Sequence, residues 1–376
     1  MRRFLVRYFP LLLLVVAPVL GQSGPRVQFS NTTENLRGVS AVSRQVAWAS
    51  GTHGTYLRTI DGGRTWTPAQ VPDAVALDFR AVAAFSADEA FLMSAGPGEQ
   101  SRVYHTGDAG KHWQLQFTNT NPKGFFDSMV FWDSKHGIVL GDPIPDESGK
   151  LKFEVLLTED GQNWRPVPPA QMPDAMEGEG AFAASNTCIA IVRGNSDPNI
   201  WFATGGKTAR IFHSGDRGQS WQVYETPMVH GPDSAGIFSI AFRDTTHGVI
   251  VGGDYKRPKD DGPNLAYTED GGKNWMLPPL HPLAYFSAVA YDRRVNEVAN
   301  REDSGAGSEK KVRVKAITPE RMFIVGEDFI FDLRPPNNPR RIGGKKKMGM
   351  RFNAVSAYPE GGALVVGPKG AMAFVP

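Results

Sequence analysis

The stretch Thr268-Glu-Asp270-Gly-Gly272-Lys-Asn274-Trp275 decides the fold, because four variants of it stand upstream at similar intervals. They are Thr59-Ile-Asp61-Gly-Gly63-Arg-Thr65-Trp66, Thr106-Gly-Asp108-Ala-Gly110-Lys-His112-Trp113, Thr158-Glu-Asp160-Gly161-Gln-Asn-Trp164 and Ser214-Gly-Asp216-Arg-Gly218-Gln-Ser220-Trp221. The copy at Thr158 lacks one residue between its aspartate and its tryptophan. Successive tryptophans lie 47, 51, 57 and 54 positions apart. A fixed period of roughly fifty residues marks a repeat architecture.

The phrase has a mechanical reading. An aspartate two places after Ser or Thr can turn its carboxylate back onto the following backbone N–H groups, and glycine supplies the positive φ of a tight hairpin. The tryptophan then opens the next strand and lays its ring over the turn. In this form the phrase resembles the Asp-box, the hairpin between the third and fourth strands of a β-propeller blade. With the segments Gly141-Asp-Pro143 and Gly252-Gly-Asp254-Tyr255, it makes the chain similar to the exported bacterial Asp-box propellers of the WD40/YVTN/BNR-like group. A more distant resemblance is to the photosystem II assembly-factor propeller and the sortilin ectodomain. Each box on its own reads as a structural turn, so Asp61, Trp66, Asp108, Trp113, Asp160, Trp164, Asp216, Trp221, Asp270 and Trp275 are expected to be structural.

Alternating apolar segments allow the repeats to be laid side by side. Innermost strands are expected to begin at Arg37, Arg80, Asp127, Glu179, Ile237, Phe286 and Asn353, each followed by a second strand, which makes seven units. The sixth has lost its box and runs Phe329–Leu333 into Pro335-Pro336, and the seventh stops at Pro376 after three strands. The missing strand is expected at the other end. Gln28-Phe-Ser-Asn-Thr-Thr33 matches Gln116-Phe-Thr-Asn-Thr120, which occupies the outer-strand position of unit two. The expectation is therefore an all-β, seven-bladed propeller whose last blade is closed by the N-terminal strand, which removes an exposed sheet edge. A six-bladed ring is the alternative.

Composition agrees with a turn-rich fold of this size. The 376 residues are 41% apolar and include 41 glycines and 28 prolines, and the net charge of +2 gives no bias toward nucleic acid. Cys188 is the single cysteine, so no internal disulfide forms. Arg2, Arg3 and Arg7 precede an apolar run from Phe9 to Leu20, which reads as a signal peptide over residues 1–21 cut near Gly21/Gln22. The run is short for a membrane span, and no lipid-bearing cysteine follows it. Residues 22–376 are then one periplasmic or secreted domain, with a charged, solvated insertion at about 293–311 and a basic cluster at Lys345–Lys347.

In a propeller the starts of the innermost strands and the ends of the second strands share one face. The aligned starts place Arg37 and Arg80 across from Asp127 and Glu179 at the channel mouth, and the second-strand ends add His53, Asp142, Asp254 and Glu327, with Asp328 beside it. This convergence is the candidate binding site. The alternative is a network of salt bridges pinning the blades together, in which case alanine at Arg80 or Asp127 would lower stability steeply.

No metal, cofactor or nucleotide site is expected. The histidines are dispersed, the acidic loop Gly141–Glu147 lacks alternating oxygen ligands, and Gly178-x-Gly180-x-x-Ala183 opens a strand where a dinucleotide fingerprint needs a helix. Gly206-Lys207-Thr208 lacks the glycine that a phosphate loop carries upstream. Propellers of this group often bear an oxidoreductase label, which no residue here supports. The function expected is a non-catalytic exported binding or scaffold module, monomeric, for a protein, peptide or envelope glycan, with an assembly factor as one form of it. A glycan-acting hydrolase of sialidase-like type, using Asp127, Glu179 or Asp142, is the alternative. The arginine triad and the Tyr–Glu pair of sialidases are not found.

Overall fold

The computed structural model describes residues 24–193, 198–279, 284–293, 321–326, 329–334, 338–342 and 349–376. The leader, the expected insertion from residue 294 onward together with the residues up to 320, Glu327, Asp328 and the Lys345–Lys347 cluster lie outside the described residues. Seven antiparallel sheets form the chain, and their innermost strands neighbour one another in cyclic order, the first beside the last. The architecture is an all-β, seven-bladed propeller.

Blade one shows the plan. Leu36–Ala41, Ala47–Gly51, Thr55–Thr59 and Thr67–Gln70 pair in sequence order from the axis outward. The second strand, Ala47–Gly51, is buried at every position because both its faces pack on neighbouring blades. The third and fourth strands are joined by the repeated turn, and its bonds are the same in every copy. The hydroxyl of Thr59, Thr106, Thr158, Ser214 or Thr268 accepts the N–H of Gly63, Gly110, Gly161, Gly218 or Gly272 at 2.8–3.0 Å. All five glycines have φ between +71° and +89°, which a side chain would resist. The aspartate Oδ1 accepts the N–H of the residue before the tryptophan at 2.8–2.9 Å.

The turns also join blade to blade. Tyr56 of blade one donates its hydroxyl to Gly110 O at 2.9 Å in the turn of blade two. Gln116 of blade two donates to Gly161 O at 2.9 Å and accepts the Trp164 indole N–H at 3.0 Å. Trp201 of blade four donates to Gly271 O at 2.8 Å. Gln28, from the N-terminal strand, donates to Gly62 O at 3.5 Å and accepts the Trp66 indole N–H at 3.0 Å. The likeness between the Gln28 and Gln116 segments is thus one clamp used twice. Trp66 is 2% exposed and packs with Leu364, Met372 and Phe374 of blade seven.

The N-terminal strand closes the ring. Arg26 pairs with Phe374 and Val27 with Ala373, and Gln28 N–H donates to Met372 O at 3.0 Å. Pairing starts two residues earlier than the Gln28–Thr33 strand expected from the sequence. It ends at Gln28, whose side chain turns to blade one, and Asn31 at φ 59° bends the chain away. Blade six regains a fourth strand, Asn338–Ile342, without any box. In blade five the fourth strand shrinks to a single bridge between Tyr267 and Met276.

Blade four corrects the sequence reading. Its innermost strand is Ile189–Arg193, paired with Pro198–Ala203, and not the segment beginning at Glu179. Both stretches alternate, but Ile189-Ala-Ile-Val192 carries the β-branched side chains that a pleated, half-buried surface favours. Glu179–Gly180 instead makes a two-residue pairing with Gly205–Gly206, which leads into the sheet of blade five.

If the glutamine–tryptophan clamp closes the ring, Gln28→Ala and Trp66→Phe should each destabilise the protein and be coupled. A double-mutant cycle in urea should give an interaction energy of about 0.5–1.5 kcal/mol. Strictly additive effects would show that the bond contributes nothing to closure.

Candidate functional site

The side chains at the axis are aimed by bulges. In five blades the innermost strand slips register by one residue at the same place, between Leu36 and Gly38, Phe79 and Ala81, Phe126 and Ser128, Ile237 and Ser239, and Phe286 and Ala288. A bulge re-aims the extra residue, and the extra residues are Arg37, Arg80, Asp127, Phe238 and Ser287. The first three are those the sequence placed at the mouth. In blades five and six the sequence alignment was one residue early, at Ile237 and Phe286.

The segment Ala181–Thr187, freed by the correction in blade four, crosses the axis. Arg37 Nη2 of blade one and Arg80 Nη1 of blade two both donate to Ala183 O at 3.2 Å. The Ala183 N–H faces Asp127 of blade three, and the Ala181 N–H donates to Asp142 of the same blade at 3.0 Å. Phe182 stacks on Phe238 of blade five with ring centroids 3.8 Å apart. Ser185 Oγ donates to Ser287 O of blade six at 2.9 Å, and Asn186 Oδ1 accepts Met129 N–H of blade three at 2.7 Å. A seven-residue strap that reaches five blades has to lie on the axis.

Charge at the strap is unevenly balanced. Arg80 Nε pairs with Asp78 Oδ2 at 2.8 Å, a partner that the sequence reading missed because Asp78 stands before the alternating run. Arg37 Nε, Asp78 Oδ1 and Asp127 Oδ2 are shut off from solvent and make no hydrogen bond. Burial, then repulsion from Arg80, pulls the Arg37 guanidinium below its ordinary range. Burial, with Asp142 nearby, pushes Asp127 well up. Asp142 accepts Ala181 N–H at 3.0 Å and is pushed by burial to about 6. Aromatic rings flank the group: the Arg80 guanidinium lies 6.0 Å from the Phe125 ring centroid, and Phe238 meets Tyr285 and Tyr255 edge-on.

The other expected site residues fall elsewhere. Glu179 is no channel-mouth acid: it is enclosed and ion-paired with Arg210 at 2.5 Å, and it accepts the Thr204 hydroxyl at 2.7 Å. His53 is largely exposed, at φ 55°, and its Nδ1 lies 2.7 Å from Glu34 Oε2. Asp254 is buried and held by Arg257 Nε at 2.9 Å. Among the described residues no cluster of three or more His, Cys, Asp or Glu side chains is arranged to hold a metal ion.

The whole arrangement matches solved propellers. YCF48 bound to a D1 peptide superposes with a TM-score of 0.62 at 16% identity, over 95% of this chain and 98% of that one. YCF48 from Cyanidioschyzon merolae gives 0.59 at 16% identity, over 93% and 98%. The chain shares the YCF48 fold. The WD40 propeller domain of Doa1 matches with a TM-score of 0.60 at 10% identity, over 94% and 97%, so the likeness extends to WD40 propellers. At these identities the match is one of fold. No protein-family model matches the sequence, and no curated protein does.

The acids behind the strap give a signed pH dependence. Unfolded, Asp142 titrates near 3.9; folded, it titrates at about 6. Between those values the folded chain holds a proton that the unfolded chain has lost, so stability falls as pH rises through that window. Asp142→Asn keeps an oxygen for Ala181 N–H and removes the effect. Urea unfolding should show the variant gaining on the wild type by about 2 kcal/mol between pH 4 and pH 8. Parallel pH profiles would contradict the burial of this carboxyl.

Proposed function

We propose that the protein is an exported, non-catalytic Asp-box propeller that binds a peptide segment of another envelope protein at the strap-bearing end of its channel, as an assembly factor would. The observation that carries this reading is the treatment of Ala183. Its carbonyl is taken by Arg37 and Arg80 from two separate blades, and the Ala181 N–H beside it by Asp142 of a third, so this end of the ring recognises main-chain peptide groups. Phe125 stands beside Arg80, Tyr255 and Tyr285 stand beside Phe238, and Tyr255 is 48% exposed, ready to cover an apolar side chain of a ligand. Rigid blades fix these groups in advance, which lowers the ordering cost of binding.

Two further observations support the reading. A propeller of the same fold, YCF48, has been seen with a D1 peptide bound. The basic and apolar leader of residues 1–21 supports export. Hydrolysis of a glycan is less well supported. That chemistry needs two carboxyl groups facing a sugar, and Glu179 is committed to Arg210 inside the fold.

A tiled array of peptides from exported proteins, probed with the purified chain, tests the proposal. Discrete binders are expected, weakened at least tenfold by Arg80→Gln while melting shifts by no more than roughly 2 °C. The reading fails if no peptide exceeds its scrambled control, or if the variant simply unfolds. It also fails if the protein turns over a glycan and Asp142→Asn abolishes that turnover.

A further inference from the structure

We infer that Arg37 and Arg80 form a carboxylate site, and that the Ala183 carbonyl occupying it is an internal stand-in that an incoming carboxylate displaces, lifting residues 181–184 from the axis. The inference rests on the reading of this end of the channel as a binding site, and it adds the chemical class of the ligand and a moving part.

The present occupant is a poor match for its partners. Two guanidinium groups converge on one neutral carbonyl oxygen, and both bonds are 3.2 Å long. Charge-assisted N–H···O bonds to an anion normally close to about 2.7–2.9 Å. Arg37 also keeps a buried Nε–H with no acceptor. A carboxylate offers two oxygens and a full negative charge, so it can serve both guanidinium groups and the orphaned Nε–H. The local charge leaves room for it: Asp78 pairs directly with Arg80, its pull on Arg37 is outweighed by the burial of that guanidinium, and burial favours the neutral form of Asp127.

The strap is fastened unequally along its length. Residues 185–187 are tied through Ser185 to Ser287, through Asn186 to Met129 N–H at 2.7 Å, and through Thr187 O to Ile240 N–H at 2.8 Å. Residues 181–184 depend on the long arginine bonds, on Asp127 and Asp142, and on the Phe182–Phe238 stack. Losing the arginines to a ligand therefore frees the first half and leaves the second as a hinge. Cys188 reports the movement. It is fully buried, its thiol lies against Ser128 and the Phe182 backbone, and burial holds the thiol far from ionising. It is also the only cysteine in the chain, so thiol labelling reads this one position.

The test is the rate of maleimide labelling of Cys188 in the purified chain. Three probes are added at millimolar concentration: N-acetyl-trialanine with a free C-terminal carboxylate, the same peptide as its amide, and glutarate. Acceleration of at least fivefold by the free-acid peptide, with none by the amide, is the expected result. Arg80→Lys, which keeps the charge and loses the fork, should reduce that acceleration while circular dichroism stays unchanged. Acceleration by glutarate alone would keep the carboxylate site and remove the peptide as its source. Equal acceleration by acid and amide would overturn the inference, because charge would not then be the determinant. No acceleration by any probe, alongside peptides that bind in the array, would overturn the strap movement and leave the peptide-binding reading standing.

Discussion

A ring of separate sheets holds together only through the contacts between neighbours, and here one contact recurs: a turn in one blade offers a glycine carbonyl, and the blade before it supplies the donor. Tyr56, Gln116, Trp201 and Gln28, three kinds of side chain, fill this role at four of the joints. The aspartate holds the turn in the one shape that presents the carbonyl outward. The tryptophan seals the joint with apolar area, and the ring closes because the N-terminal strand carries the same glutamine that serves blade two.

That dependence explains what the sequence revealed. The turn is local, so Asp61 and its four counterparts announce themselves by spacing alone. Closure was legible too, because Gln28 and Gln116 stand in matching phrases. The axis was harder to read. Glu179–Ala184 and Ile189–Arg193 both alternate, and periodicity cannot say which of two such runs finds a partner strand. The one-residue error at Ile237 and Phe286 has a related cause, since a bulge inserts a residue without leaving a mark in composition.

The misread strand is also the part of the molecule that crosses the axis. Removed from the sheet, Ala181–Thr187 becomes a strap that reaches five blades and collects the buried charges of the first three. Arg37, Arg80, Asp127 and Asp142 do converge, as their positions at the ends of strands suggested, and they converge on this chain's own backbone. The sequence reading weighed a ligand site against an internal network. The geometry shows the internal network: main-chain groups of this chain sit where Arg37, Arg80 and Asp142 from three blades meet.

Hydrogen exchange read by mass spectrometry tests the placement of the strap most directly. If Ala181 N–H donates to the buried carboxyl of Asp142 and Arg37 and Arg80 hold the Ala183 carbonyl, peptides covering 181–187 should exchange as slowly as the innermost strand Ile189–Arg193. Exchange on the timescale of an exposed loop would show that the strap does not cross the axis, and the account of the candidate site would fall with it.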